Sequence, residues 1–231
     1  MIRRPRVPRL PPNGRPDPRS TVVPSTAVRR RRGPRPPDAV IAALRAALVI
    51  ELRESGALVN DAEPRPTLGT RWKEAAQKAL RAIGIGARRG VVSALPPGAA
   101  REAARAAPTP APAGWVATVT RAVQRALRAA ALATILESAS GAAARHVLRE
   151  HARQVRIIAE AAGAGWYIWT TQNDSKVRAM HWRLEGTVQR WDRPPLTDLP
   201  DFHGCPGEPN QCRCQAYPIV RPPGPGSTPQ R

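Results

Sequence analysis

Residues 165–218 read GWYIWTTQNDSKVRAMHWRLEGTVQRWDRPPLTDLPDFHGCPGEPNQCRCQAYP, and their reading decides the fold. All three cysteines, His181 and His203, the single phenylalanine, and Trp166, Trp169, Trp182 and Trp191 fall inside this stretch. The rest of the chain is dominated by Ala, Arg and Pro. Residues 166–171 are aromatic and β-branched, which suits a pleated, half-buried surface and predicts a strand. Asn173 or Asp174 then stands where a helix N-cap belongs, because its side-chain oxygen can accept free N–H groups of the first turn. Over 175–184, Val177, Met180, His181 and Leu184 recur at helical spacing and share a face. Gly186 supplies a C-cap, since glycine tolerates a left-handed backbone. Residues 187–191 predict a second strand. A loop rich in Pro, Gly and Asp follows and closes on Cys212-Arg213-Cys214.

Cys212 and Cys214 are two apart, so on an extended segment their thiols face the same way. Cys205 lies seven residues earlier, before a Pro-Gly-x-Pro turn that can fold it back. With His181 or His203 as a fourth donor, these cysteines form a candidate zinc site, because zinc takes four N/S ligands and a small loop-rich unit gains folding free energy from it. Packed thiols with a free Cys205, or a disulfide from Cys205 to Cys212 or Cys214, are the other two readings. The spacing is not that of a paired CxxC finger.

Asp174, Arg178 and His181 fall on neighbouring turns. In a nuclease or transferase, His181 would be the general base and Arg178 would hold a phosphate. A purely structural reading has Asp174 capping, Arg178 pairing with Asp192 or Asp198, and His181 locking the following loop. The second is more economical: there is no nucleophile, paired carboxylate or Gly-rich phosphate loop beside them. The tryptophans can stack on bases. In a unit so poor in other large residues they are expected to be its core.

The ordered set Trp169, Asp174, Val177-Arg178, His181, Leu184 and Gly186, then Pro206-Gly207 and Cys212-Arg213-Cys214, resembles the phage Mu F-like minor head protein family, also called the head morphogenesis family. D-x-x-V-R-x-x-H-x-x-L-x-G and C-R-C are each weak alone; in this order and at this separation they are specific. Many members place a Pro and a His shortly before C-R-C. Here Pro209-Asn210-Gln211 stands there, with His203 and Cys205 upstream. The resemblance implies a minor capsid component of a tailed phage or prophage with no turnover of its own. Its implied partners are the portal and/or major capsid protein and packaged double-stranded DNA, with no membrane. It implies a place in the virion, inside the capsid near the portal, after assembly in the host cytoplasm. A virion-carried nuclease- or transferase-like effector is the alternative.

The rest of the chain frames this unit. Lys and Arg number 37 against 17 Asp and Glu, a formal charge of +20, which points to nucleic acid, an acidic protein or an anionic surface as partner. Met1 is followed by Arg3, Arg4, Pro5 and Arg6 with no apolar segment behind them, so no secretory leader is expected, and the thiols are expected to stay reduced. No apolar run reaches transmembrane length.

Residues 1–37 form a basic, Pro-rich arm, expected to be disordered, with eleven arginines against Asp17. Arg29, Arg30, Arg31 and Arg32 are its candidate DNA contact, a solvated tail being the alternative. A helical region with Pro/Gly linkers spans 38–164, the C-terminal domain 165–220, and a disordered tail 221–231. Within the region, Asp38 is expected to cap a helix over 38–54 with Ile41, Leu44, Leu48 and Leu52 on one face. A helix over 70–82 is expected to break at Gly84, Gly86 and Gly90, and a short helical piece is expected over 99–107. The longest helical pattern covers 115–137, with Arg121, Arg125 and Arg128 opposite its apolar side. Ser138-Ala139-Ser140-Gly141 is expected to end it, and a second helix over 142–162 to fold back as a hairpin. His146 and His151, five apart, do not share a face as a ligand pair would. The expected class is α+β: a mostly helical N-terminal and middle region, whose helices need partners to bury their apolar sides, and a small C-terminal α+β unit.

Overall fold

A computed structural model describes residues 36–55, 67–172, 174–198, 202–209 and 212–220. Arg29–Arg32, with nearly all of the basic arm, and the 221–231 tail lie outside these residues.

The architecture is α+β, as the sequence predicts. Helix α1 (Pro36–Glu54) presents Val40, Leu44, Leu48 and Leu52, a stripe with a spacing of four. It lies against α2 (Thr70–Ala94), and Glu51 joins the two. The Glu51 carboxylate accepts the Gly69 N–H at 3.3 Å and the Trp72 N–H at 3.0 Å, satisfying donors that the first turn of α2 leaves open. After α3 (Ala99–Ala106) comes α4 (Trp115–Ala129), which buries Trp115, Val119, Val123 and Leu127. A 3-10 turn (Leu132–Thr134) leads into α5 (Ile135–Ala161), which packs along α4.

Two expectations for this region are corrected. Helix α2 does not break at Gly84, Gly86 and Gly90 but runs to Ala94. Each interior glycine costs about 1 kcal/mol in a helix. Burial of Trp72, Ile83 and Val91 outweighs that cost, and Gly84 lets Thr109 approach to 3.3 Å from where a Cβ would stand. The hairpin turns at residues 130–134, not at Ser138–Gly141. Ala139, Ser140, Ala142 and Ala143 instead lie inside α5 and are buried, because small side chains let neighbouring helices come close. The helices also serve as apolar partners for one another. Leu44, Leu48, Leu52, Trp72, Ile83, Val119, Val123, Leu127, Ile135 and Val147 make one apolar core between them.

A second core begins where α2 and α5 leave the first. Ala87, Val91 and Leu95 of the α2 end, Ala104 of α3, and Val155, Ile158 and Ala159 of α5 meet Tyr167, Trp169, Trp191 and all three cysteines. The sheet above them is antiparallel, in the order β2 (Val188–Arg190), β1 (Trp166–Thr170), β5 (Gln215–Ile219). Ile168 of the central strand pairs with Val188 on one side and Tyr217 on the other. Tyr167 and Trp169, two apart, point into this second core. A two-stranded ribbon, β3 (Leu196–Asp198) and β4 (Phe202–His203), lies in the long loop. Between β1 and β2 is the short helix α6 (Ala179–Leu184).

The expectation of a capped helix over 175–184 is corrected. Only the last six of those residues are helical, and Arg178 stands at the N-cap with an extended backbone and no side-chain cap bond. Asp174 turns the chain earlier: its Oδ1 accepts the Lys176 N–H at 3.0 Å, and its carbonyl accepts the Val177 N–H at 3.1 Å.

Candidate functional site

The two halves of the sequence pattern meet in space. Arg213 donates to both carboxylate oxygens of Asp174, at 2.8 and 3.0 Å, across 39 residues of chain. Both bonds come from one nitrogen, Nη2, which straddles the carboxylate in a charge-assisted contact. Further along the chain, on α6, His181 Nδ1 lies 3.6 Å from Cys212 Sγ and 3.4 Å from Cys214 Sγ. The two thiols flanking Arg213 thus both face His181, while the arginine goes to Asp174. Gln172 Nε2 holds the Arg213 carbonyl at 2.6 Å, and Thr170 Oγ1 donates to the Gln215 carbonyl at 2.9 Å. Behind the histidine, the Trp169 ring meets the imidazole edge-on, with centroids 5.4 Å apart.

Each other residue of the pattern has a structural place. Gly186 takes φ 72° at the end of α6 and donates its N–H to the Trp169 carbonyl at 2.9 Å, closing the helix back onto β1. Leu184 packs against the second core. Val177 is half-buried in the turn. Arg178 is exposed; of its two expected partners, Asp192 is bonded to Arg190 at 2.7 Å, and the Asp198 side chain lies outside the described residues.

Cys205 and His203 are not part of the His181 cluster. Cys205 is buried beside the Tyr167 hydroxyl, and its N–H donates to Glu208 Oε2 at 2.7 Å. Burial and the Glu208 charge push its thiol up to about 11. His203 is exposed, with Nδ1 3.0 Å from the Pro194 carbonyl. All three cysteines are thiols. Among the described residues, His181, Cys212 and Cys214 are the group whose donor atoms are close enough to share a metal ion, all within 4.8 Å of one another and all buried.

The two sulfurs titrate together. The Cys214 S–H and the His181 ring favour a thiolate on Cys212 and draw its pKa down against the opposing effect of burial; the Gly207 N–H, 3.4 Å away, helps. Cys214, beside that thiolate, is pushed well up. The pair therefore gives up one proton readily and holds the other.

Gly207 is the residue whose role the sequence did not reveal. Its φ is 90°, and a Cβ there would lie 2.8 Å from Ala152 Cβ and 3.3 Å from the Leu148 carbonyl of α5. Pro206-Gly207 thus presses the cysteine loop onto the helical hairpin while its amide points at Cys212. The Pro-Gly turn signal was legible, but not the helix against which it packs. The tryptophans divide: Trp169 and Trp191 are core, Trp166 is half-buried under Arg190 at 5.2 Å, and Trp182 is 41% exposed.

A second feature lies on the hairpin. Arg125 of α4 and Arg145 and Arg149 of α5 all act on the half-buried His146, which burial first and then these charges hold below its ordinary pKa. Arg121, Arg125, Arg128 and Arg149 are exposed, so this face is strongly basic.

The model of the family described as Phage Mu protein F like protein matches residues 116–217. The resemblance read from 165–218 is thereby shown, and it reaches upstream to take in α4 and α5. No curated protein and no solved structure matches the chain. The match suggests a phage head morphogenesis protein.

Proposed function

We propose that this chain, phage Mu F-like over residues 116–217, is a minor head protein that sits inside the capsid near the portal and contacts packaged DNA during head assembly, packaging or ejection. One observation carries the reading. The residues shared with the family, 31 to 39 apart in sequence, close into a single knot of Asp174–Arg213 and His181–Cys212–Cys214 that ties the C-terminal unit shut. The pattern thus has the character of a folding device. His181 is 3% exposed and faces two thiols and an indole, a poor position for a base that must reach a substrate. The basic face around Arg125, Arg145 and Arg149 suits phosphate contacts, and Arg29–Arg32 of the arm extend the same chemistry. Among the described residues no helix is long and apolar enough to cross a membrane.

The test is deletion of the gene from the phage or prophage that encodes it, followed by electron microscopy of the particles. Misassembled or DNA-deficient heads are expected, together with density for the protein at the inner portal vertex of intact ones. Fully infectious particles that never contained the protein would sink the reading.

A further inference from the structure

We propose that His181 Nδ1, Cys212 Sγ and Cys214 Sγ bind a zinc ion that locks the C-terminal loop onto α6 and β1. The separations suit it. Around a tetrahedral zinc with ordinary Zn–S and Zn–N bonds, an imidazole nitrogen and a thiolate sulfur stand about 3.6 Å apart. Here they stand 3.6 and 3.4 Å apart, and all three donors lie within 4.8 Å of one another.

Donor chemistry argues the same way. Two thiolates balance the charge of a divalent ion, so a buried site of this composition is neutral in sum when filled. The donor set, one imidazole and two sulfurs, is soft, which favours zinc over magnesium or calcium. The Gly207 N–H directed at Cys212 Sγ from 3.4 Å is the kind of outer-shell bond that steadies a ligating thiolate.

Position gives the ion its task. The donors come from α6 and from the segment entering β5, so an ion between them would join the two ends of the long loop. Closing such a loop with a metal bond removes conformational freedom from the unfolded chain. Cys205 and His203 are outside the cluster, bonded elsewhere. No other described His, Cys, Asp or Glu joins it, and the fourth place falls to water.

The full chain, purified without chelator, is analysed for metal and then titrated with cobalt(II). About one zinc per chain is expected, with a thiolate-to-cobalt charge-transfer band on substitution. Cys205→Ser should keep the metal, whereas His181→Ala and Cys214→Ser should lose it, and stripping the wild-type protein with a chelator should lower its Tm. A wild-type chain that binds neither zinc nor cobalt, with a Tm indifferent to chelator, would overturn the proposal. So would loss of the metal in Cys205→Ser, or native thiol titration showing Cys212 and Cys214 joined as a disulfide. Failure here would leave the head-protein reading standing, since that rests on the family pattern and not on the ion.

Discussion

Asp174, His181, Arg213 and the two cysteines show what single residues do in this chain. Each was legible as a member of a pattern, but its role is set by what it touches. Asp174 anchors Arg213 instead of capping a helix. Burial opposes the Asp174 charge, but the Arg213 bonds and the Lys176 N–H prevail and hold its carboxyl below the usual range. A more specific pH effect belongs to His151. Burial lowers its pKa to about 4, against about 6.5 in an unfolded chain. Between those values the unfolded chain takes up a proton that the folded one refuses, so stability rises with pH across the window and falls as pH drops from about 6.5 towards 4. His151→Gln should flatten that part of the pH–stability curve, measured by urea unfolding at a series of pH values. An unchanged slope would place the effect elsewhere.

Elements carry the next set of consequences. Helices α2 and α5 each serve two cores, and the cysteine loop is seated on α5 through Gly207. Gly207→Ala forces both a left-handed backbone on alanine and a contact of 2.8 Å with Ala152. We expect a loss of about 1–3 kcal/mol in denaturant unfolding. Pairing it with Ala152→Gly should restore part of that, because the steric component disappears while the backbone component stays. A fully additive double mutant would mean the loop does not press on α5. At the other end of α2, Trp72 is fully buried and donates from Nε1 to Thr120 Oγ1 at 2.9 Å. Trp72→Ala should cost about 3–5 kcal/mol, read from the shift in denaturant midpoint.

At the scale of the molecule, charge is uneven: a basic hairpin face stands beside a C-terminal unit whose polar groups are largely paired with each other. If that face meets DNA, replacing Arg125, Arg145 and Arg149 together by Gln should weaken binding alike across sequences. It should also reduce the slope of log affinity against log salt by about 3, near one per lost phosphate contact. A slope equal to wild type would remove the hairpin from the DNA interface. The same substitutions lie on exposed or half-buried side chains, so folding is expected to persist.

Local chemistry alone determined a good deal. The aromatic strand at 166, the stripe Leu44-Leu48-Leu52 and the Cys-x-Cys alternation are all short-range, and short-range geometry is what a backbone period encodes. Tertiary contact decided the rest. Whether Gly84, Gly86 and Gly90 stop a helix depends on what packs against it. Whether Ser138–Gly141 is a turn or a close-packing face depends on the helices that press on it. Which of five candidate donors converge depends on a loop that returns from far along the chain to lie against α5. Those outcomes are set by burial summed over distant partners, a free energy larger than the local preference at any one of these positions.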